Sequence, residues 1–314
     1  MEKTFLVLGG DLRNVYLAEQ LAEDGARVKL TGFSAGIGPS GGTGPSGGTG
    51  PSGYAGGLEN ITDLDEAARE ADIIVGPIPF TKGSDLNTPF NTKEITLAEL
   101  FQALRPGQIL FGGMLTAFQG FAARCGIKAF DLLKREEMAV FNAIPSAEGA
   151  VQIAMENTQA TIHGSSVLVT GFGRIGKVLC RLLSAFGANV YAAARKHEDI
   201  ALIKGCGYNA VGYAQLPQLM ADMDIIINTV PSIIFDKTNL KYVKRGGLMI
   251  DLASSPFGVD MDVCHREGIN LIRALSLPGK VAPLTAARYI KETIYNILEE
   301  MSGKLDYPGG GEFI

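Results

Sequence analysis

Ser166-Val-Leu-Val-Thr-Gly171-Phe-Gly173-Arg174-Ile175-Gly176, followed by a helical stretch from Lys177 to Phe186, decides the fold of this 314-residue chain. A short apolar strand runs into three glycines spaced G-x-G-x-x-G, and a helix opens behind them. Gly171 permits the tight turn, Gly173 lets a pyrophosphate approach the backbone, and Gly176 lets helix and strand pack closely. The helix start points unpaired N–H groups and a partial positive charge at the phosphates. A second strand at Asn189-Val-Tyr-Ala192 supplies the βαβ context without which the glycine spacing is weak. Gly171, Gly173, Arg174, Ile175 and Gly176 are therefore candidate dinucleotide contacts.

The second strand ends in Ala193-Ala194-Arg195-Lys196. A site for NAD usually carries Asp or Glu near this point, to accept from the ribose 2′-hydroxyl. Two cations and no carboxylate suit a 2′-phosphate. Arg195 and Lys196 thus favour NADP, with NAD as the alternative if both cations are merely solvated. Three more buried strands are expected at residues 224–228, 247–251 and 270–273. Ligands of such sheets bind outside the carboxyl ends of the strands. Thr229, Val230, Pro231, Ser232, Ser254 and Ser255 fall there; the other reading of each hydroxyl is a local turn or cap. Leu277-Pro-Gly-Lys280-Val-Ala-Pro283 reads as a rigid loop at the same end. Pro283 then opens a helix to about Met301, with Ala286, Tyr289, Ile290, Thr293, Ile294, Ile297 and Leu298 on one face.

Upstream, strands are expected from Thr4 towards Gly10 and at residues 27–30, 71–75 and 108–111, with helices at 14–24, 64–70 and 97–104. The alternation argues for an α/β fold with a parallel sheet and helices on both faces. Gly9-Gly10-Asp11 has only two adjacent glycines, so this first domain should hold no dinucleotide of its own. Residues 135–157 have a helical pattern. Pro145 lacks an N–H and biases Ile144 away from helix, so a break is expected at Ile144-Pro145-Ser146. The division read from these signals is an N-terminal substrate or catalytic domain at 1–140, a dinucleotide domain at 141–282, and a helix at 283–303 returning to the first domain.

Composition adds limits. Glycine contributes 40 of 314 residues, nearly twice its ordinary share of about 7%. Eleven of the 40 lie between Gly36 and Gly57, where Gly38–Gly53 reads GPSGGTGPSGGTGPSG. So few apolar side chains cannot offset the entropy of ordering, which predicts a flexible loop. The net charge of −5 and a pI near 5.4, with no basic stripe, argue against nucleic acid as a partner. Cys125, Cys180, Cys206 and Cys264 form no C-x-x-C, and His163, His197 and His265 do not cluster, so neither a disulfide framework nor a metal site is expected. No apolar run reaches about 18 residues, and the N-terminus lacks the pattern of a signal peptide. No membrane association is expected, and a cytoplasmic protein is.

The motifs Phe141-Asn-Ala-Ile-Pro-Ser-Ala-Glu-Gly149, Thr161-Ile-His-Gly164, Asn228-Thr-Val-Pro-Ser232, Asp251-Leu-Ala-Ser254 and Leu277–Pro283, with the Gly171 fingerprint, resemble the A subunit of the bacterial dipicolinate synthase family. The likeness spans roughly residues 60–300; the Gly38–Gly53 repeat departs from it, an ordinary loop being expected there. The resemblance implies two Rossmann-like domains with an interdomain cleft as active site, similar to 2-hydroxyacid and alanine dehydrogenases. It implies an enzyme of sporulation, in the mother cell of a spore former, that oxidises a dihydrodipicolinate-level intermediate to dipicolinate with a nicotinamide cofactor. It also implies a complex with a flavoprotein-like B subunit, while a homo-oligomer is expected. For a dicarboxylate, the candidate substrate or catalytic residues are Thr81, Lys82, Ser146, Glu148 and Lys280. Glu148 is a candidate base, or else a cap for the following helix. Two other readings stay open: another NADP-dependent dehydrogenase, shikimate- or hydroxyacid-dehydrogenase-like, and a non-catalytic NADP-binding regulatory subunit.

Overall fold

The computed structural model describes residues 3–33 and 58–303; the repeat segment expected to be a flexible loop lies outside the described residues. The chain divides into two compact units, one taking the chain up to Ala139 and again from Pro283, the other Val140–Ala282.

The first unit begins with β1 (Thr4–Leu8), α1 (Leu12–Glu23), β2 (Arg27–Thr31), β3 (Leu58–Asn60), α2 (Leu64–Glu70) and β4 (Ile73–Val75). A small hairpin of β5 (Thr81–Lys82) and β6 (Asp85–Leu86) follows, then α3 (Leu97–Ala103), β7 (Ile109–Gly112), α4 (Gln119–Arg124) and β8 (Lys128–Asp131). Among the described residues the main sheet is wholly parallel, in the order β3-β2-β1-β4-β7-β8. Helix α5 (Glu136–Asn157) contains the point of division.

In the second unit, β9 (Ser166–Thr170), α6 (Arg174–Ala185), β10 (Asn189–Ala194), α7 (His197–Gly205), β11 (Asn209–Gly212) and α8 (Leu216–Leu219) precede β12 (Ile225–Asn228) and β13 (Leu248–Asp251). Then come α9 (Met261–Glu267), β14 (Asn270–Arg273) and α10 (Leu277–Val281). Its parallel sheet runs β11-β10-β9-β12-β13-β14, the same order as in the first unit. Both are Rossmann-like sheets whose order reverses beside the first strand. Each also ties down the start of that strand in one way. Asp72 Oδ2 accepts from Thr4 N at 3.0 Å, and Asp224 Oδ2 accepts from Ser166 N at 2.9 Å. Lys244, bonded to Asp224 at 2.6 Å, and the Ser166 amide hold the Asp224 carboxyl below its usual range.

The C-terminal helix α11 (Pro283–Ser302) belongs to the first unit and lies against α1. Ala286, Tyr289, Ile290, Thr293, Ile294 and Ile297 are buried along one face, opposite the buried Val15, Leu17, Ala18, Leu21 and Ala22 of α1. Polar contacts fix the register: Tyr295 Oη donates to Asp24 at 2.8 Å and Lys291 pairs with the same carboxylate at 2.8 Å. Burial pushes the Asp24 carboxyl up, but these two partners outweigh it and leave it below the usual range.

Two sequence expectations are corrected. Helix α5 does not break at Ile144-Pro145-Ser146; it runs through Pro145. Proline removes one backbone donor; one residue on, Ser146 Oγ donates to the Asn142 carbonyl at 2.7 Å. Burial of Ala147, Ala150, Val151 and Ala154 against the strands of the second unit then carries the helix through a residue that disfavours it. Local propensity loses here to tertiary packing. The second correction is the rigid loop at Leu277–Pro283. Its first five residues form α10, seated by the buried Leu277, and a Cβ on Gly149 of α5 would come within 3.2 Å of Leu277 and 3.1 Å of Val281.

Asp131 closes the first sheet. It is 7% exposed and accepts from the amides of Met114 (3.0 Å), Leu115 (2.9 Å) and Leu133 (3.1 Å). It thereby holds the turn in which Met114 has a left-handed φ of 65°. Replacing Asp131 by Ala leaves the buried Leu115 amide and two part-buried amides without their acceptor and should lower the unfolding free energy by about 1–3 kcal/mol. Urea unfolding of the variant checks this; a loss below about 1 kcal/mol contradicts the role assigned to the carboxylate.

Candidate functional site

The turn between β9 and α6 is built as its three glycines require. Gly171 has φ +91°, and a Cβ on it would stand 2.5 Å from Thr229 Oγ1 and 2.8 Å from Val230 Cγ2. A Cβ on Gly176 would overlap the Gly171 carbonyl oxygen. Gly173 has nothing within 4 Å of its Cβ position and is the N-cap of α6, with no side chain capping the helix. Two glycines are therefore demanded by the protein's own packing, whereas the third leaves open space in front of an uncapped twelve-residue helix. That cradle fits an anionic pyrophosphate, which the first-turn N–H groups of α6 would receive.

Thr229 and Val230, expected as cofactor contacts, are part of the wall behind the turn. Thr229 Oγ1 donates to the Thr170 carbonyl at 2.9 Å, so its hydroxyl locks β12 to the glycine turn. Pro231, Ser232, Ser254 and Ser255 are exposed after the ends of β12 and β13. Arg195 is exposed just past the end of β10 and forms no ion pair among the described residues. It lies near Tyr213, opposing the rise that burial imposes on that phenol. Lys196 pairs with Glu198 at 3.1 Å, both side chains more than 70% exposed; a pair so solvated binds weakly and yields readily.

A row of polar residues escaped the sequence reading. Thr170, Asn228, Asp251 and Arg273 end β9, β12, β13 and β14 and stand in register with one another. Thr170 Oγ1 bonds to Asn228 Oδ1 at 2.8 Å, and Asn228 Nδ2 donates to Asp251 Oδ1 at 2.8 Å. Asn228 also bonds both backbone groups of Val230, each at 3.1 Å. Thr170, Asn228 and Asp251 are wholly buried. The available signal was that four strands each end on a polar residue.

The substrate candidates are spread over both units. Thr81 and Lys82 lie on the β5–β6 hairpin of the first unit, Thr81 half-buried and Lys82 exposed. The base of this hairpin is fastened to the first glycine turn: buried Arg13 bonds Asp11 with two 2.9 Å contacts and also donates to the Ile78 carbonyl. Asp11 caps α1, so the helix start equivalent to that of α6 already carries its own anion. Ser146, Glu148 and Lys280 belong to the second unit, where α5 and α10 meet at Gly149. The Ser146 hydroxyl is engaged by the backbone. Glu148 is mid-helix, so it caps nothing; it is exposed beside an apolar groove of about 480 Å³ with Leu182 and Phe186. Those residues are at least six positions beyond Gly176 along α6, about 9 Å or more from the turn. His163 packs against Gly187, and His265 is exposed on α9. Burial pushes the Cys180 thiol up to about 12 and Cys264 to about 11, which suits core packing rather than nucleophilic chemistry. Among the described residues no group of three His, Cys, Asp or Glu side chains gathers to hold a metal, and no helix is long and apolar enough to cross a membrane.

Residues 143–264 match the family described as the D-isomer specific 2-hydroxyacid dehydrogenase NAD binding domain. Fold and turn together define an NAD(P)-dependent oxidoreductase with a nicotinamide cofactor. Residues 4–133 match the N-terminal domain of the dipicolinate synthase A subunit. Over 302 residues the chain is 32% identical to the A subunit of dipicolinate synthase of Bacillus subtilis (strain 168), covering 95% of this chain and 96% of that protein. The crystal structure of the same Bacillus subtilis protein superposes with a TM-score of 0.80 at 30% identity, over 97% of this chain and 98% of that one. That of the dipicolinate synthase A subunit from Bacillus halodurans gives 0.81 at 27% identity, over 94% and 97%. The chain belongs to the family of dipicolinate synthase A subunits.

The three glycines should respond differently to alanine. Gly171→Ala and Gly176→Ala meet packed atoms and should lower the melting temperature by several degrees, about 1–3 kcal/mol. Gly173→Ala should melt like wild type yet bind the dinucleotide about tenfold or more weakly. Scanning calorimetry with cofactor titration checks this. A Gly173→Ala protein with unaltered affinity rules the pyrophosphate out of the turn.

Proposed function

We propose that this chain oxidises a dihydrodipicolinate-level dicarboxylate to dipicolinate, with NADP as the hydride acceptor. The carrying observation is the α6 cradle, open at Gly173, in a chain similar over nearly its whole length to the A subunit of dipicolinate synthase. When bound, the nicotinamide supplies a two-electron acceptor. The substrate loses a hydride from one ring carbon and a proton from a neighbouring position, and the ring becomes aromatic. Aromatisation drives the step, so a strong base matters less than in oxidation of an alcohol. Proton loss can go to solvent or to a weak acceptor, in keeping with the lack of a histidine beside the turn.

Each chain group has a proposed task. The first-turn amides of Arg174, Ile175 and Gly176 receive the pyrophosphate, and Thr229 and Val230 hold the turn rigid. Arg195, exposed and without an ion partner among the described residues, receives the 2′-phosphate, and Lys196 assists after leaving Glu198. Pro231 and Ser254 border the cofactor beyond β12 and β13. Lys82, Thr81 and Lys280 are proposed anchors for the substrate carboxylates. The Ser146 bond to Asn142 and the position of Glu148 support structural roles for those two better than chemical ones. By the same family likeness we propose a sporulation role in the cytoplasm, self-association of the chain, and partnership with a flavoprotein-like B subunit.

The direct test is to supply purified chain with freshly formed dihydrodipicolinate and NADP, in the presence and absence of the flavoprotein-like partner, and to follow dipicolinate and NADPH together. Equal amounts of both are expected. Product without NADPH, or neither product under both conditions, overturns the reading. Arg195→Ala should weaken NADPH binding about tenfold and change NADH binding less than about twofold; equal effects on the two would remove Arg195 from 2′-phosphate recognition.

A further inference from the structure

Beyond the glycine turn, the loop after β13 is held with unusual tightness. Ser254 O accepts from Phe257 N at 2.8 Å, closing a four-residue turn, and Phe257 has a left-handed φ of 70°. A bulky residue is strained there and stays only when its surroundings impose the shape. Two groups impose it. Asp251 Oδ1 accepts from Ala253 N at 3.2 Å and Asp251 Oδ2 from Gly258 N at 3.2 Å, gripping both ends of the turn. From the neighbouring strand the Arg273 guanidinium lies 3.9 Å from the centroid of the Phe257 ring, and its Nη2 donates to the Val259 carbonyl at 3.2 Å.

Arg273 is itself incompletely bonded. Its Nε is shielded from solvent, has no hydrogen-bond acceptor among the described residues, and stands 3.9 Å from Asp251 Oδ2. Pairing with the buried Asp251 and stacking on Phe257 therefore hold the guanidinium more than a full set of hydrogen bonds does. Asp251 in turn bonds Asn228, which grips Val230, and a Cβ on Gly258 would overlap Asn228 Nδ2. The loops after β12 and β13 are thus fastened to each other through one buried polar row.

These two loops stand on the side of β9 away from β10 and Arg195. A dinucleotide lying across the carboxyl ends of this sheet, pyrophosphate at Gly173, sets its adenosine half towards β10 and its nicotinamide half towards β12 and β13. We propose that Asp251 and Arg273 are positioning residues for the nicotinamide half: they hold the strained Ser254–Gly258 turn so that this wall of the site is set before the cofactor arrives. The proposal rests on the dinucleotide reading of the Gly171 turn.

Calorimetric titration with two ligands tests it: NADPH, and 2′-phospho-ADP-ribose, which lacks the nicotinamide. R273A should raise the Kd for NADPH about tenfold while leaving that for phospho-ADP-ribose within about twofold of wild type. Adding F257G to R273A gives the turn a residue at ease at positive φ, and should bring NADPH back to within about threefold. R273K, which keeps the charge but not the planar stack, should show the same split in milder form if R273A folds poorly. Unchanged NADPH affinity in R273A, equal loss of both ligands, or no rescue by F257G overturns the proposal. If wild type binds neither these ligands nor their counterparts without the 2′-phosphate, NADH and ADP-ribose, the dinucleotide reading has failed and the proposal falls with it.

Discussion

Everything in the second unit depends on how closely β9, α6 and β12 approach one another at the glycine turn. A Cβ at Gly176 would overlap the Gly171 carbonyl, and one at Gly171 would meet Thr229 and Val230. The approach points the start of α6 at open space over Gly173. Thr229 seals it from behind by bonding the Thr170 carbonyl, and the row of buried Thr170, Asn228 and Asp251 with part-buried Arg273 carries the same rigidity across three further strands. An anion site made of backbone donors needs such fixation, because helix N–H groups cannot reorient to follow a ligand.

The first unit repeats the sheet order but reaches a different end. Its turn also places glycines under tight packing, a Cβ on Gly9 falling 2.5 Å from Thr88. The difference is chemical. Asp11 caps α1 with its own carboxylate, and Arg13 neutralises that charge while pinning the Ile78 carbonyl. The position where α6 would receive phosphate is occupied in α1 by a side chain and covered by the hairpin segment, since Gly10 N bonds Asn87 O at 3.0 Å. One topology thus serves two purposes, separated by which group satisfies the helix start.

Much of this was legible in the residues. G-x-G-x-x-G between strand and helix carried enough local chemistry to be read without tertiary context, and the apolar stripe of α11 identified its buried face. What escaped depends on contacts distant in sequence. Pro145 signals a break, yet burial of Ala147, Ala150 and Ala154 carries α5 through it. The Leu277–Val281 helix was hidden by its Pro-Gly pair and forms because Leu277 and Val281 have Gly149 to pack on. Thr229 is a cofactor-contact expectation from sequence; that its hydroxyl turns back to β9 depends on a contact 59 positions away and is visible only in the fold. Asn228, Asp251 and Arg273 read in sequence only as strand ends, because a polar row appears only when register is known.

Amide hydrogen exchange on the wild-type chain, with and without NADP, tests the role of the second glycine turn most directly. Slowed exchange is predicted at Arg174, Ile175 and Gly176, while amides at Gly10–Asn14 of the first unit keep their rates. Slowing at Gly10–Asn14 with none at Arg174–Gly176, or no change at either turn under saturating NADP, would contradict the claim that the second glycine turn holds the cofactor.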